Sequence, residues 1–141
     1  PDRRAGGRDA LMHNYARAKA RRAALRASSP LQKSSDLKPP ACSAVNAFSH
    51  YACGRKPVYY FDKGGYTCRA GRGYGENIYW GTGSLGSVRA AMKWWVNSTE
   101  GHRTTLLNST YKDVGFGLRK GTFLGHRGAQ VWTGHFGYRK C

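Results

Sequence analysis

The four cysteines of this 141-residue chain, Cys42, Cys53, Cys68 and Cys141, constrain its fold more than any other feature. Their number is even and they form no Cys-x-x-Cys pair, which argues against a tetrathiolate zinc site and against a thioredoxin-like redox motif. Two disulfides formed in an oxidising compartment suit the set better than four reduced thiols, which remain the alternative. Three pairings are open. We favour Cys42–Cys53, which closes a short loop, and Cys68–Cys141, which ties the C-terminus to the middle of the chain.

The length and composition predict a single globular domain. A chain of 15.6 kDa with 40% hydrophobic residues can bury one core without help from a metal or a partner. We assign residues 1–7 to a basic N-terminal arm and residues 8–141 to the domain. The chain starts at Pro1 without an apolar leader, as a mature or trimmed protein would. No apolar run approaches the ~18 residues that a membrane-spanning helix needs.

The charge balance points to an anionic partner. The chain has 24 Lys and Arg residues against seven acidic ones, for a formal charge of +17. Such a charge attracts anionic lipid, acidic wall polymer and nucleic acid alike. The basic residues are spread along the chain and form no recognition motif, so we do not expect sequence-specific nucleic-acid binding.

The apolar pattern predicts helices in both halves of the chain. Leu11, Tyr15, Ala18 and Leu25 mark one face of a basic helix over residues 8–26, which the sequence Ser28-Ser29-Pro30 ends. We expect a second helix from Pro39-Pro40 to about Ala47, with proline in its first turn. Two further helices are predicted over residues 88–97, after an N-cap at Ser87, and over residues 100–107.

Strands are predicted mainly near the C-terminus. Alternating patterns over residues 114–118 and 130–136 predict two strands of a hairpin, and residues 77–80 predict a short strand. Apart from His50 and His102, the chain has three histidines, His13, His126 and His135, which are interpreted as surface or strand residues.

Several short motifs follow one another in a fixed order along the chain. They are Phe48-Ser49-His50, Gly75-Glu76-Asn77-Ile78, Trp95-Val96-Asn97-Ser98 with Gly101-His102-Arg103, Val114-Gly115-Phe116-Gly117, and Trp132-Thr133-Gly134-His135-Phe136-Gly137. Each motif alone is weak, but at these separations they resemble a bacterial domain of the CAP superfamily, the cysteine-rich secretory, antigen 5 and pathogenesis-related proteins. The resemblance extends from about Leu11 to Gly137.

This resemblance implies a fold and a site. The fold is α+β, a three-layer α-β-α sandwich. Family members carry a cavity lined by two histidines and two acidic residues, and the motifs place His50, Glu76 and His102 at three of these positions. The second acid of plant and animal members falls at Ser98 here. Tyr51 stands where a threonine commonly follows the first histidine, so Ser98 and Tyr51 are predicted at the cavity rim.

The chemistry of this set allows a metal without requiring one. Two imidazoles and a carboxylate can hold zinc with water in the fourth position, so a zinc ion at His50, Glu76 and His102 is a candidate cofactor. In the alternative, the histidines hydrogen-bond to the backbone and Glu76 caps a turn. We assign no catalytic residue.

These observations predict a secreted, extracellular protein rather than an enzyme. The leading hypothesis is a non-catalytic bacterial module that binds lipid or an anionic component of the cell envelope through its His/Glu cavity and its basic surface. One alternative is a metal-assisted hydrolase that uses the same cavity, and another is a structural subunit of an extracellular assembly or oligomer.

Overall fold

The computed structural model describes residues 3–38, 50–51, 54–123 and 125–141. The predicted helix over residues 39–47 and the predicted Cys42–Cys53 disulfide lie outside these ranges. No helix in the described ranges is long and apolar enough to cross a membrane. The helices are α1 (Arg3–Lys19), α2 (Ser29–Leu37), α3 (Pro57–Gly64), α4 (Val88–Val96) and α5 (His102–Leu107), and the strands are β1 (Arg26–Ala27), β2 (Arg72–Thr82), β3 (Asp113–Phe123) and β4 (His126–Arg139).

The strands form one mixed sheet in the order β1-β3-β4-β2. Strand β4 pairs antiparallel with both β3 and β2, and β1 pairs parallel with β3. The predicted hairpin is therefore confirmed as β3–β4. The predicted short strand at residues 77–80 is the centre of the longer strand β2.

Helices cover both faces of the sheet. Side chains at alternate positions of β3, among them Val114 and Phe116, join a core with Trp95 of α4 and Leu106 of α5. On the other face, Gly115 lies so close to α2 that an added Cβ would collide with the backbone of that helix. The result is the α-β-α layering and the α+β class expected from the sequence.

Helix α1 turns a polar face toward the core, contrary to the predicted apolar seam. Leu11 is 73% exposed and Tyr15 is 65% exposed, whereas Asp9, His13 and Arg17 are buried. The imidazole of His13 packs 4.2 Å from the ring of Phe116, measured between ring centroids. Arg17 donates hydrogen bonds to backbone carbonyls beyond α1. Specific polar contacts thus override the seam that the spacing of the apolar residues predicted.

The bounds of α1 also differ from the prediction. The helix begins at Arg3, inside the segment assigned to an arm, because Arg and Ala favour helical backbone. It ends at Lys19 rather than near Arg26. Arg21 adopts a left-handed conformation with φ 58°, and the amide of Arg22 donates to the carbonyl of Arg17 at 2.8 Å. This is a Schellman-type end without the usual glycine.

Two serine caps start the helices that flank the sheet. The Ser28 hydroxyl accepts from the Leu31 amide and Pro30 lies in the first turn, so α2 begins where the sequence predicted only a break. The predicted cap at Ser87 is confirmed, because its hydroxyl accepts from the Ala90 amide.

The predicted Cys68–Cys141 disulfide is confirmed. It joins residues 73 positions apart, with their Cα atoms separated by 5.3 Å. The bond fastens the end of β4 beside the start of β2, where Arg72 pairs with Arg139.

Candidate functional site

The predicted site centres on the carboxylate of Glu76. Its Oε1 lies 2.5 Å from Nζ of Lys38 and 2.8 Å from Nδ1 of His50, and its Oε2 lies 2.7 Å from Nε2 of His135. The Glu76 side chain is only 2% exposed. Three donors from three parts of the chain therefore converge on one buried carboxylate.

The fold explains why these groups meet. Glu76 pairs directly with His135 across β2 and β4, so both side chains stand on the same face of the sheet, the face that α2 covers. Lys38 is the C-cap residue of α2. Its side chain is 7% exposed, and it reaches the carboxylate from the helix end where backbone carbonyls favour a cation.

Hydrogen bonds and burial set the charges of the cluster. Burial alone would raise the pKa of Glu76, but the hydrogen bonds from His135 and His50 and the charge of Lys38 hold this pKa well below its usual value. Burial lowers the pKa of Lys38, and Glu76 opposes that shift. Glu76 is thus an ionised carboxylate with a buried ammonium as its partner.

Both ring nitrogens of His135 are in hydrogen-bond contact. Burial lowers the pKa of this imidazole, which favours the neutral form. An ionised carboxylate can only accept, so Nε2 carries the proton that faces Glu76. Nδ1 lies 2.6 Å from Oγ of Ser34, which also lies 2.9 Å from the carbonyl oxygen of Leu31. Phe61 stacks on the ring with centroids 4.3 Å apart, which fixes its orientation.

His102 and Ser98 form a neighbouring pair. Nδ1 of His102 lies 2.9 Å from Oγ of Ser98, and Trp94 packs edge-on against the imidazole at 4.6 Å between centroids. Burial lowers the pKa of His102, and the charge of His50 lowers it further. The two predicted histidines therefore sense each other electrostatically, but the hydrogen bonds shown link His50 to Glu76 and His102 to Ser98.

The predicted rim residues lie next to the two histidines, Tyr51 in sequence and Ser98 through its contact with His102. Tyr51 follows His50 and is 60% exposed. Ser98 lines a cleft of about 460 Å³ together with Tyr79, Trp94 and Glu100. His50 has a side chain 45% exposed, so its imidazole is the part of the Glu76 cluster that meets solvent.

As arranged, these residues do not fit a divalent metal. The donor types suit zinc, but the Lys38 ammonium lies 2.5 Å from Oε1 of Glu76, the oxygen that a cation would bind. Within residues 3–38, 50–51, 54–123 and 125–141, no group of three or more His, Cys, Asp or Glu side chains is placed to hold a metal ion. Zinc binding stays a prediction that the cluster does not favour.

Two members of the cluster escaped the sequence reasoning. Lys38 gave no signal among so many basic residues. His135 does lie in a strand, as interpreted, but it is completely buried rather than at the surface. His135 and Phe136 are neighbours in the last strand, so their side chains point to opposite faces of the sheet, and helices cover both faces. This alternation was the sequence signal for a buried His135.

The layers and the order of the elements define an α+β domain with helices on both faces of a four-stranded sheet. The chain belongs to the cysteine-rich secretory protein family, CAP, whose sequence pattern matches residues 11–136. No curated protein matches the chain.

Solved structures share the fold at low identity. An extracellular protein of Bacillus anthracis that contains an SCP domain is 22% identical with a TM-score of 0.76, and the match covers 96% of this chain and 40% of that one. An outer surface protein of Borrelia burgdorferi is 17% identical with a TM-score of 0.72, covering 93% and 90% respectively. A cysteine-rich secretory protein of Staphylococcus aureus is 18% identical with a TM-score of 0.56. The chain spans 40% of the length of the Bacillus protein and 40% of the length of the Staphylococcus protein.

Proposed function

We propose that this domain is a non-catalytic module of the extracellular space or cell envelope that binds a lipid with an anionic head group. One observation carries the proposal. An apolar groove with a basic rim lies between α1, α4 and α5.

The groove has a volume of about 600 Å³, and the large apolar side chains that α1 contributes to it are exposed to solvent. Leu11 and Tyr15 are among the most exposed large hydrophobic residues described. Met12, Met92 and Leu106 form the floor beneath them. Exposed apolar surface of this kind marks binding sites in soluble domains, because burying it in contact with an acyl chain is favourable.

Four cations surround this apolar surface. Lys19, Arg89, Lys93 and Arg103 line the groove, and none of its described lining residues is acidic. The ammonium of Lys19 lies 4.8 Å from the centre of the Tyr15 ring, so positive charge sits directly on the apolar patch. Together with the formal charge of +17, this arrangement favours an amphiphile with a negative head group.

The Glu76 cluster supports a non-catalytic role. A general base must reach its substrate's proton by direct contact or through one water, but the Glu76 side chain is buried and already accepts from three donors. We therefore assign ligand binding to the groove and the basic surface rather than to a His/Glu cavity.

Two facts support an extracellular location. Two of the similar structures are described as an extracellular protein and an outer surface protein. The Cys68–Cys141 disulfide is a bond that persists in oxidising compartments. We propose that the chain is secreted or displayed at the cell surface.

Co-sedimentation with phosphatidylglycerol and phosphatidylcholine vesicles tests the function. We expect binding to the anionic vesicles that weakens as salt rises, and a loss of at least tenfold in Leu11→Ser/Tyr15→Ser. Leu85→Ser, which alters a leucine that is 66% exposed outside this groove, is the matched control and should bind like the wild type. Equal binding by the groove variant and the wild type would exclude the groove as the lipid site.

A further inference from the structure

The Glu76 cluster holds a cation that belongs to the chain itself. We infer that the Lys38 ammonium occupies the position a divalent metal would take beside Glu76, so that the carboxylate is neutralised without a metal and resists binding zinc. This inference does not depend on the lipid groove, which lies on the other face of the sheet.

The Lys38 ammonium leaves no space for a zinc ion at Oε1 of Glu76. Zinc binds a carboxylate oxygen at roughly 2.0–2.2 Å, and Nζ of Lys38 already lies 2.5 Å from Oε1 of Glu76. An ion could reach that oxygen only if the ammonium moved away. Lys38 is held in place by burial and by its position at the C-terminal end of α2, and leaving would separate a buried ion pair.

The direction of the hydrogen bonds also disfavours a metal at Glu76. Metals bind the lone pair of an imidazole nitrogen, which must carry no proton. Nδ1 of His50 and Nε2 of His135 both face an ionised carboxylate, so both nitrogens carry protons and donate them. All three groups that contact the Glu76 carboxylate are therefore hydrogen-bond donors. The ring nitrogens of His50 and His135 that face Glu76 have no free lone pair with which to bind a cation.

The second imidazole nitrogen of His135 is also engaged. Nδ1 of His135 lies 2.6 Å from Oγ of Ser34, and Phe61 stacks on the ring. Rotation to offer zinc a lone pair would break both contacts inside the core. The charges of Lys38 and Glu76 cancel, so the buried cluster is already neutral without an added ion.

Removing the cation tests the inference. Lys38→Met keeps a long unbranched side chain without the charge, and Lys33→Met makes the same change at an exposed position of α2. Zinc binding is measured by isothermal titration calorimetry, and cobalt binding by visible absorption. We expect Lys38→Met to bind zinc at least tenfold more tightly than the wild type and Lys33→Met, and we expect Lys38→Met/Glu76→Gln to lose that gain.

A second measurement keeps the inference testable if Lys38→Met does not fold. In the wild type, a buried and hydrogen-bonded ammonium should give a protected side-chain signal for Lys38 in ¹H–¹⁵N spectra. We expect excess zinc to leave that signal unchanged. Stoichiometric zinc binding that abolishes the signal, or Lys38→Met that folds and binds zinc no better than the wild type, would overturn the inference.

Discussion

Replacing Arg17 with methionine should lower the free energy of unfolding by about 3 kcal/mol. Arg17 is 1% exposed, and its guanidinium donates to the carbonyl oxygens of Ala23 at 2.7 Å, Leu106 at 2.9 Å and Asn108 at 3.0 Å. Hydrogen bonds to a charged group contribute about 1.5–3 kcal/mol each. Part of that gain is offset by the cost of burying the charge, several kcal/mol, which methionine does not incur.

Urea unfolding followed by tryptophan fluorescence measures the effect, because Trp95 and Trp132 are buried in the core that α1 covers. Arg22→Met is the matched control. Arg22 also donates to a helix carbonyl, that of Leu107 at 3.0 Å, but at an exposed position, so its loss should cost about 1 kcal/mol or less. If Arg17→Met costs no more than Arg22→Met, polar contacts do not hold α1 in place and the apolar contacts of the helix do.

Three further outcomes are expected. Because burial lowers the pKa of His135, the folded state binds fewer protons than the unfolded state as the pH falls below about 6.5. Stability should then drop by up to about 1.4 kcal/mol per pH unit, and His135→Gln should show a shallower slope in denaturant titrations. Gly115→Ala places a Cβ against the backbone of α2 and should cost about 3 kcal/mol, whereas Gly121→Ala meets open space and should melt like the wild type. Cys141→Ser opens a loop between cysteines 73 residues apart and should cost about 4 kcal/mol; an unchanged melting temperature would contradict the bond to Cys68.

The late elements could be predicted from the sequence because their local signals agree with their tertiary roles. Ser87 caps α4 as its position before an apolar pattern indicated, and the alternation in β3 and β4 matches a sheet with cores on both faces. Phe116 and Phe136 therefore lie where the period of two placed them.

The first helix and the core of the site were not predictable in the same way. Leu11 and Tyr15 line a surface groove, because the buried positions of α1 are filled by Asp9, His13 and Arg17 instead. Glu76 and His50 do meet, as the motifs implied. The lysine that completes their cluster comes from α2, and only the path of that helix brings its charge to the carboxylate.

In α1, polar residues hold the helix against the core, and the large apolar residues Leu11 and Tyr15 are left free for the outer surface. In most amphipathic helices, the large apolar residues hold the helix in place. The hydrogen bonds that Arg17 and Asn14 make with backbone atoms are directional, so they help to fix the rotation and register of the helix independently of Leu11 and Tyr15. Substitutions at Leu11 and Tyr15 can then reshape the outer surface while the domain keeps its stability. A lineage could diversify what this surface recognises at little risk to folding, and a protein engineer could randomise the same positions.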